Sequence, residues 1–143
     1  MTVVRSLFFV AVLVGGLAAC GDEAEPAAPA WEEPASYTYT LTSSEGERAL
    51  IGTFRITVRG GEVTKAVGLD DSARRVVRQL PDQVPTLGAL LEELERARGD
   101  DADTAEARYA ADGHPTRIEI DGEENAMDDE VRYDITGYEP AAD

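Results

Sequence analysis

The chain has 143 residues, 13 basic against 29 acidic, a formal charge of −16, a single cysteine and a single histidine. Such acidity argues against nucleic acid and against lying flat on an anionic membrane, because both attract basic surfaces. One thiol excludes disulfides within the chain and cysteine-based zinc sites, and one imidazole leaves little for a transition metal.

The N-terminus reads as a signal. Arg5 is the only charge before Asp22, and an apolar run from Ser6 to Gly16 follows it. That run is too short for a bilayer core, which takes about 20 apolar residues, but it suits a secretory h-region. It ends in Leu17-Ala18-Ala19-Cys20, a lipobox in which the lone cysteine becomes the acylated first residue. Residues 1–19 are thus expected to be a lipoprotein signal peptide and Cys20 the lipidation site. Cleavage there leaves 124 residues (143 less 19) and, without Arg5, a formal charge of −17. The expected location is the extracytoplasmic face of the cell membrane, held by the lipid, with the remainder soluble and one domain in size.

Residues 20–36 read as an acidic tether: Pro26, Pro29 and Pro34 and five acids keep such a segment extended. Trp31 stands out and is expected to mark the first contact with the domain. From Tyr37 the pattern becomes period two. Tyr37, Tyr39 and Leu41 share one face of a strand, with Ser43 to Glu47 turn-like; Phe54, Ile56 and Val58 share one face of a second. Gly60-Gly61 separates two extended runs by two residues, a hairpin signal. Across it Val58 is expected opposite Val63 and Phe54 opposite Val67. That register sets Lys65 against Ile56, so its stem must snorkel or a bulge must shift the phase.

Between Asp70 and Gln83, Ala73, Val76, Val77 and Leu80 have helical spacing, and Asp70 or Asp71 is placed to cap a short helix. Arg74, Arg75 and Arg78 would form a small basic patch. Thr86 opens the main helix, about residues 86–98, with Leu87, Leu90, Leu91, Leu94 and Ala97 on one face. Glu92, Glu93 and Glu95 are expected to face away, and Gly99 to end it in the left-handed conformation. Strands return with Ala105–Ala110, an Asp112-Gly113 turn, Pro115–Ile120, and a last strand placing Val131, Tyr133 and Ile135 inward. The expected fold is α+β: a mainly antiparallel sheet of about five to six strands with one main helix across one face. The domain is placed at residues 37–139, with 140–143 as a tail.

In Tyr37–Leu41, Val58-Arg59-Gly60-Gly61-Glu62-Val63, Tyr109–Asp121 and Asp128-Asp129-Glu130, the chain resembles a family of small, uncharacterised lipoproteins typical of GC-rich actinobacteria. Members often carry a cysteine pair after the first strand, where Ser43 and Ser44 stand here. The resemblance implies the fold and the anchor; it transfers no catalytic residue.

No constellation spells out a reaction. Read as a calcium loop, Asp121, Glu123, Asn125 and Asp129 supply oxygens at positions one, three, five and nine. Ala126 stands where the turn needs glycine, however, and Arg132 where a bidentate acid is needed. A looser cation or partner surface built from Asp121, Asp128, Asp129 and Glu130 stays open, with weak calcium as its one candidate cofactor. His114 lies in a hairpin turn, with no serine elbow to make it a catalytic base. The sequence therefore points to a monomeric, non-enzymatic module that binds or scaffolds an envelope protein. Its candidate surface is the acidic end, Asp121–Glu130, with His114 expected across from it. A calcium-responsive lipoprotein is the alternative.

Overall fold

A computed structural model describes residues 30–123, 126 and 128–142. Cys20 and the signal sequence lie outside the described residues. Six strands form one antiparallel sheet: β1 (Tyr37–Ser44), β2 (Gly52–Arg59), β3 (Glu62–Gly68), β4 (Thr104–Tyr109), β5 (Pro115–Asp121) and β6 (Val131–Pro140). Their order is β3-β2-β1-β6-β5-β4. Two three-stranded meanders thus meet along a central seam, β1 against β6. The link between them runs from one sheet edge to the other through two helices, α1 (Asp71–Gln79) and α2 (Leu87–Gly99), and a 3-10 turn at Pro81–Gln83.

Alternation dictates a single core. Tyr37, Tyr39 and Leu41 of β1, Phe54, Ile56 and Val58 of β2, Ile118 and Ile120 of β5, and Tyr133 and Ile135 of β6 point to one face. Ala73 and Val76 of α1 and Leu87, Leu90 and Leu94 of α2 join the same cluster. Helix α1 covers β2 and β3, while α2 covers β4 and β5. The segment from Asp70 to Gln83 therefore supplies a second helix beside the main one expected. Neither helix is long enough to be stable alone; each holds by packing its apolar stripe on the sheet.

The caps follow from the residue types. Asp70 Oδ1 accepts from the Ala73 amide at 2.7 Å, and Thr86 Oγ1 from the Ala89 amide at 3.1 Å. At the other end of α2 the expectation for Gly99 is corrected. Gly99 is the last helical residue, and Asp101 takes the left-handed position (φ 57°). The Ala102 amide then reaches the Ala97 carbonyl at 3.1 Å and the Asp101 amide that of Arg98 at 3.4 Å, a Schellman closure set two residues later. Glu93 also departs from expectation. It turns inward, accepting from the Tyr133 hydroxyl at 2.9 Å and pairing with Arg48 at 3.1 Å, whose guanidinium lies 5.3 Å from the Tyr133 ring centroid.

The Gly60-Gly61 hairpin forms with both glycines at positive φ, and Val58 does face Val63. A bulge then shifts the register between Thr57 and Val58, so Lys65 pairs with Thr57, Phe54 with Gly68, and Arg55 with Val67. The bulge spares Lys65 a core position and turns Val67 to the open face, where it is 42% exposed. Strand β1 also continues through Ser43 and Ser44, which the sequence had suggested as turn: Ser43 is buried and its hydroxyl donates to the Leu50 carbonyl at 2.6 Å.

The face away from the helices is polar. Asp134 sits between Arg117 and Thr42 in the cross-strand register, and Thr40 sits between Thr136 and Arg55. Arg117 bonds Asp134 at 2.7 Å; Arg55 bonds Thr38 at 2.9 Å and Glu139 at 3.1 Å. Solvated pairs of this kind contribute roughly 0–1 kcal/mol each.

Candidate functional site

The two ends of the sheet are built differently. One end gathers the residues that precede β1. Trp31 packs edge-on against Tyr138 (ring centroids 6.2 Å, 73°), and Tyr138 leans on Tyr37 at 5.7 Å. Glu33 accepts from the Tyr37 hydroxyl and, at 3.1 Å, from the Gly88 amide at the start of α2. The Tyr37 hydroxyl accepts in turn from the Leu87 amide at 2.8 Å, and the Tyr39 hydroxyl donates to the Pro85 carbonyl at 2.5 Å. Ala35 and Ser36 accept from the amides of Gly61 and Ala141, both at 2.9 Å. The stretch Trp31–Ser36 is thus a strap, docked by an aromatic contact, a carboxylate and two backbone bonds.

Tyr138 reaches this site because β6 is bulged. A strict alternation after Ile135 would aim Tyr138 at the open face. The β1–β6 register slips between Thr38 and Thr40, with Gly137 at φ 55°, and the phase reverses. Glycine adopts that conformation without the Cβ clash that opposes it elsewhere. A glycine inside a strand was the one sequence signal for this turn of the side chain.

His114 also belongs to this end, which corrects the expectation that it faces the acidic loop. It precedes β5, whereas Asp121 ends that strand, about 20 Å away along the sheet. Its ring stacks on Tyr138 (4.2 Å, 29°), and its Nδ1 lies 2.5 Å from Asp112 Oδ1. An acid orienting an imidazole is part of a hydrolytic triad. Among the described residues, however, no serine, threonine or cysteine side chain hydrogen-bonds the ring. Here the acid–imidazole pair closes a hairpin turn.

The opposite end gathers the β1–β2 loop, the β5–β6 loop and the start of α1. The β1–β2 loop meets the β5–β6 loop: the Glu47 amide donates to the Asp128 carbonyl at 3.3 Å, and Arg132 lies 3.7 Å from Glu45. On its other side, the β1–β2 loop faces the start of α1 across an open depression of about 630 Å³. Glu45, Asp70 and Asp71 line it together with Thr42, Ser43, Ser44, Thr53 and Ser72; no basic residue lines it, while Arg74 bonds Asp71 at 2.7 Å. Asp70 is committed: its carboxylate takes the amides of Ala73 and Thr53, each at 2.7 Å, and the Ala73 bond foremost holds its carboxyl below the usual range.

Of the acids singled out from sequence, Asp121 is half-buried at the end of β5, while Asp128 and Glu130 are exposed. Asp129 is half-buried and folds back so that Oδ2 accepts from the Glu123 amide at 2.8 Å. Asp121 Oδ1 and Asp129 Oδ1 are buried with no hydrogen-bond partner among the described residues. Among the described residues, no three acidic, histidine or cysteine side chains are arranged to hold a metal ion. Asn125 of the calcium-loop comparison lies outside the described residues. Also among the described residues, no helix is long and apolar enough to cross a membrane.

With this geometry in view, comparison with known proteins places the chain in a family. Residues 23–140 fit the model of a family of unknown function, DUF6174. The chain belongs to that family. The match takes in the strap, both meanders and both loop ends, so the DUF6174 unit includes all the features above. No curated protein and no solved structure matches the chain.

Proposed function

We propose that this DUF6174 protein is a lipid-anchored, extracytoplasmic module of the cell envelope that binds a protein partner without catalysing a reaction. The observation that carries the reading is the acidic end. A depression of about 630 Å³ is lined by three carboxylates and five hydroxyl-bearing residues, with no base, at the end of the sheet opposite the docked strap. A surface of that character suits a basic, hydrogen-bonding segment of another protein, and its field favours the encounter. Anchoring is supported by Leu17-Ala18-Ala19-Cys20 after a short apolar run. A GC-rich actinobacterial envelope is the setting supported by the composition and by the resemblance to small lipoproteins. As a monomer it is held at the membrane by diacylglyceryl and palmitoyl chains on Cys20.

Crosslinking of the native protein in intact membranes, followed by mass spectrometry, tests this reading. The expected result is one dominant protein adduct. A Cys20→Ser variant should leave the membrane fraction and lose that adduct. Hydrolysis of an envelope polymer by the purified domain, abolished by one substitution, would refute the non-enzymatic part.

A second reading has the β5–β6 loop take a divalent cation. It is favoured by two buried carboxylate oxygens, on Asp121 and Asp129, that have no partner among the described residues. In that case millimolar calcium, the range of extracellular modules, raises the melting temperature and Asp129→Ala abolishes the rise. An unchanged melt removes the idea.

A further inference from the structure

We infer that the docked strap orients the domain on the membrane, holding the Trp31 end of the sheet toward the bilayer and the acidic depression away from it. The inference rests on the lipid-anchor reading above and deepens it, because it says from which side a partner must come.

The argument begins with where the chain enters the folded unit. Entry is not at Tyr37, the first residue of β1, but at Trp31, which is wedged against Tyr138. Glu33 is fixed at the start of α2, and Ala35 and Ser36 are bonded to the β2–β3 turn and to the residue after β6. An anchored chain therefore pulls on the domain at one end of the sheet. Eleven residue steps separate Cys20 from Trp31, a reach of at most about 36–40 Å at full extension. The sheet itself measures about 24 Å along the eight residues of β1. Turning the far end to the lipid draws that tether out over about 24 Å of its reach, whereas the seventeen steps left free without the strap, about 56–61 Å at full extension, cover the same path with slack.

Electrostatics acts in the same sense. The far end carries Glu45, Glu47, Asp71, Asp128 and Glu130 at or near its surface, and an anionic leaflet repels such a cluster. Anchor point and charge thus select the same orientation. The partner surface then opens to components beyond the membrane, not to proteins embedded in it.

The test uses the full-length lipoprotein purified from membranes and reconstituted into vesicles of phosphatidylcholine and phosphatidylglycerol. Glu62→Cys beside the strap and Glu47→Cys at the acidic end each provide one reactive thiol, since Cys20 is acylated. Energy transfer from a donor on each cysteine to acceptor-labelled lipid reports its distance from the bilayer. Higher transfer from residue 62 than from residue 47, with the difference lost in a Trp31→Ala/Glu33→Ala background that still melts cooperatively, supports the inference. Equal or reversed transfer in vesicle-bound protein overturns the orientation while leaving the anchor intact. A difference that survives release of the strap overturns the strap's part in it. Failure of the wild-type protein to float with the vesicles overturns the anchor and the orientation together.

Discussion

The strap end and the acidic end are both formed by residues from several parts of the chain, yet they are resolved in opposite ways. At the strap end the tyrosine hydroxyls and the Glu33 carboxylate are spent on internal bonds, and four aromatic rings and an imidazole lie in contact. At the acidic end, carboxylates line an open hollow, and two buried carboxylate oxygens, one at the end of β5 and one in the β5–β6 loop, lack a partner among the described residues. The contrast separates two roles. An end whose polar groups are satisfied internally holds the fold; one whose outer carboxylates, Glu45 and Asp71, stay open to solvent and are paired only at the surface, with Arg132 at 3.7 Å and Arg74 at 2.7 Å, is available for recognition.

The sharpest way to test that contrast is alkaline pH. Tyr37 and Tyr39 at the strap end are buried, and burial, first among the causes, pushes their ionisation above the ordinary value, with Glu33 adding to it. Tyr133, opposite Ser43 towards the other end, is raised by burial and Glu93, so a Tyr133→Phe background isolates the strap end's share. An unfolded tyrosine titrates near pH 10. Below that pH the contribution is fully present. Above it the unfolded chain releases protons that the folded chain retains, so stability falls as pH rises, by about 1.4 kcal/mol per tyrosine per pH unit. Urea titrations from pH 8 to pH 11 should show a plateau and then a steep loss. A decline already complete by pH 9 would place the sensitive groups elsewhere.

Single substitutions give smaller effects in a set order. Tyr37→Phe leaves the Leu87 amide buried without its acceptor and frees Glu33; the expected cost is about 1–3 kcal/mol. Asp70→Ala removes a helix cap and the acceptor of the Thr53 amide, at an expected cost of about 1–2 kcal/mol. Asp70 is the one acid lining the depression that also holds the fold, and its stabilisation is present above the ordinary carboxyl range and lost as pH falls through its lowered value. Glu45→Gln and Asp128→Asn should change stability by no more than about 0.5 kcal/mol. A cost there as large as that of Tyr37→Phe would erase the distinction between the two ends.

Much of the fold was legible locally. Period-two runs gave the inward faces of β1, β2, β5 and β6, the glycine pair gave the β2–β3 turn, and Asp70 and Thr86 are the caps of their helices. Bulges were the main source of error. One extra residue reverses every side chain beyond it, so Val67 and Tyr138 lie on the faces opposite to those a strict alternation assigns. Glu33 carries the composition of a tether, and only the tertiary fold brings the start of α2 and the Tyr37 hydroxyl to it. The acidic end was half legible. Asp128 and Glu130 read directly as an exposed acidic loop, but the hollow draws on residues from 42 to 72 and needs the β1–β2 loop to bridge two other segments.

The most direct test of the recognition role is to neutralise the two polar surfaces separately and compare the crosslinked adduct in intact membranes. Glu45→Gln with Asp71→Asn and Asp128→Asn alters the acidic end; Glu106→Gln with Glu119→Gln and Glu139→Gln makes the same charge change on the open sheet face. The first set should abolish the adduct and the second should leave it, with both variants folded and membrane-bound. An adduct that survives at the acidic end and is lost from the sheet face would contradict the account.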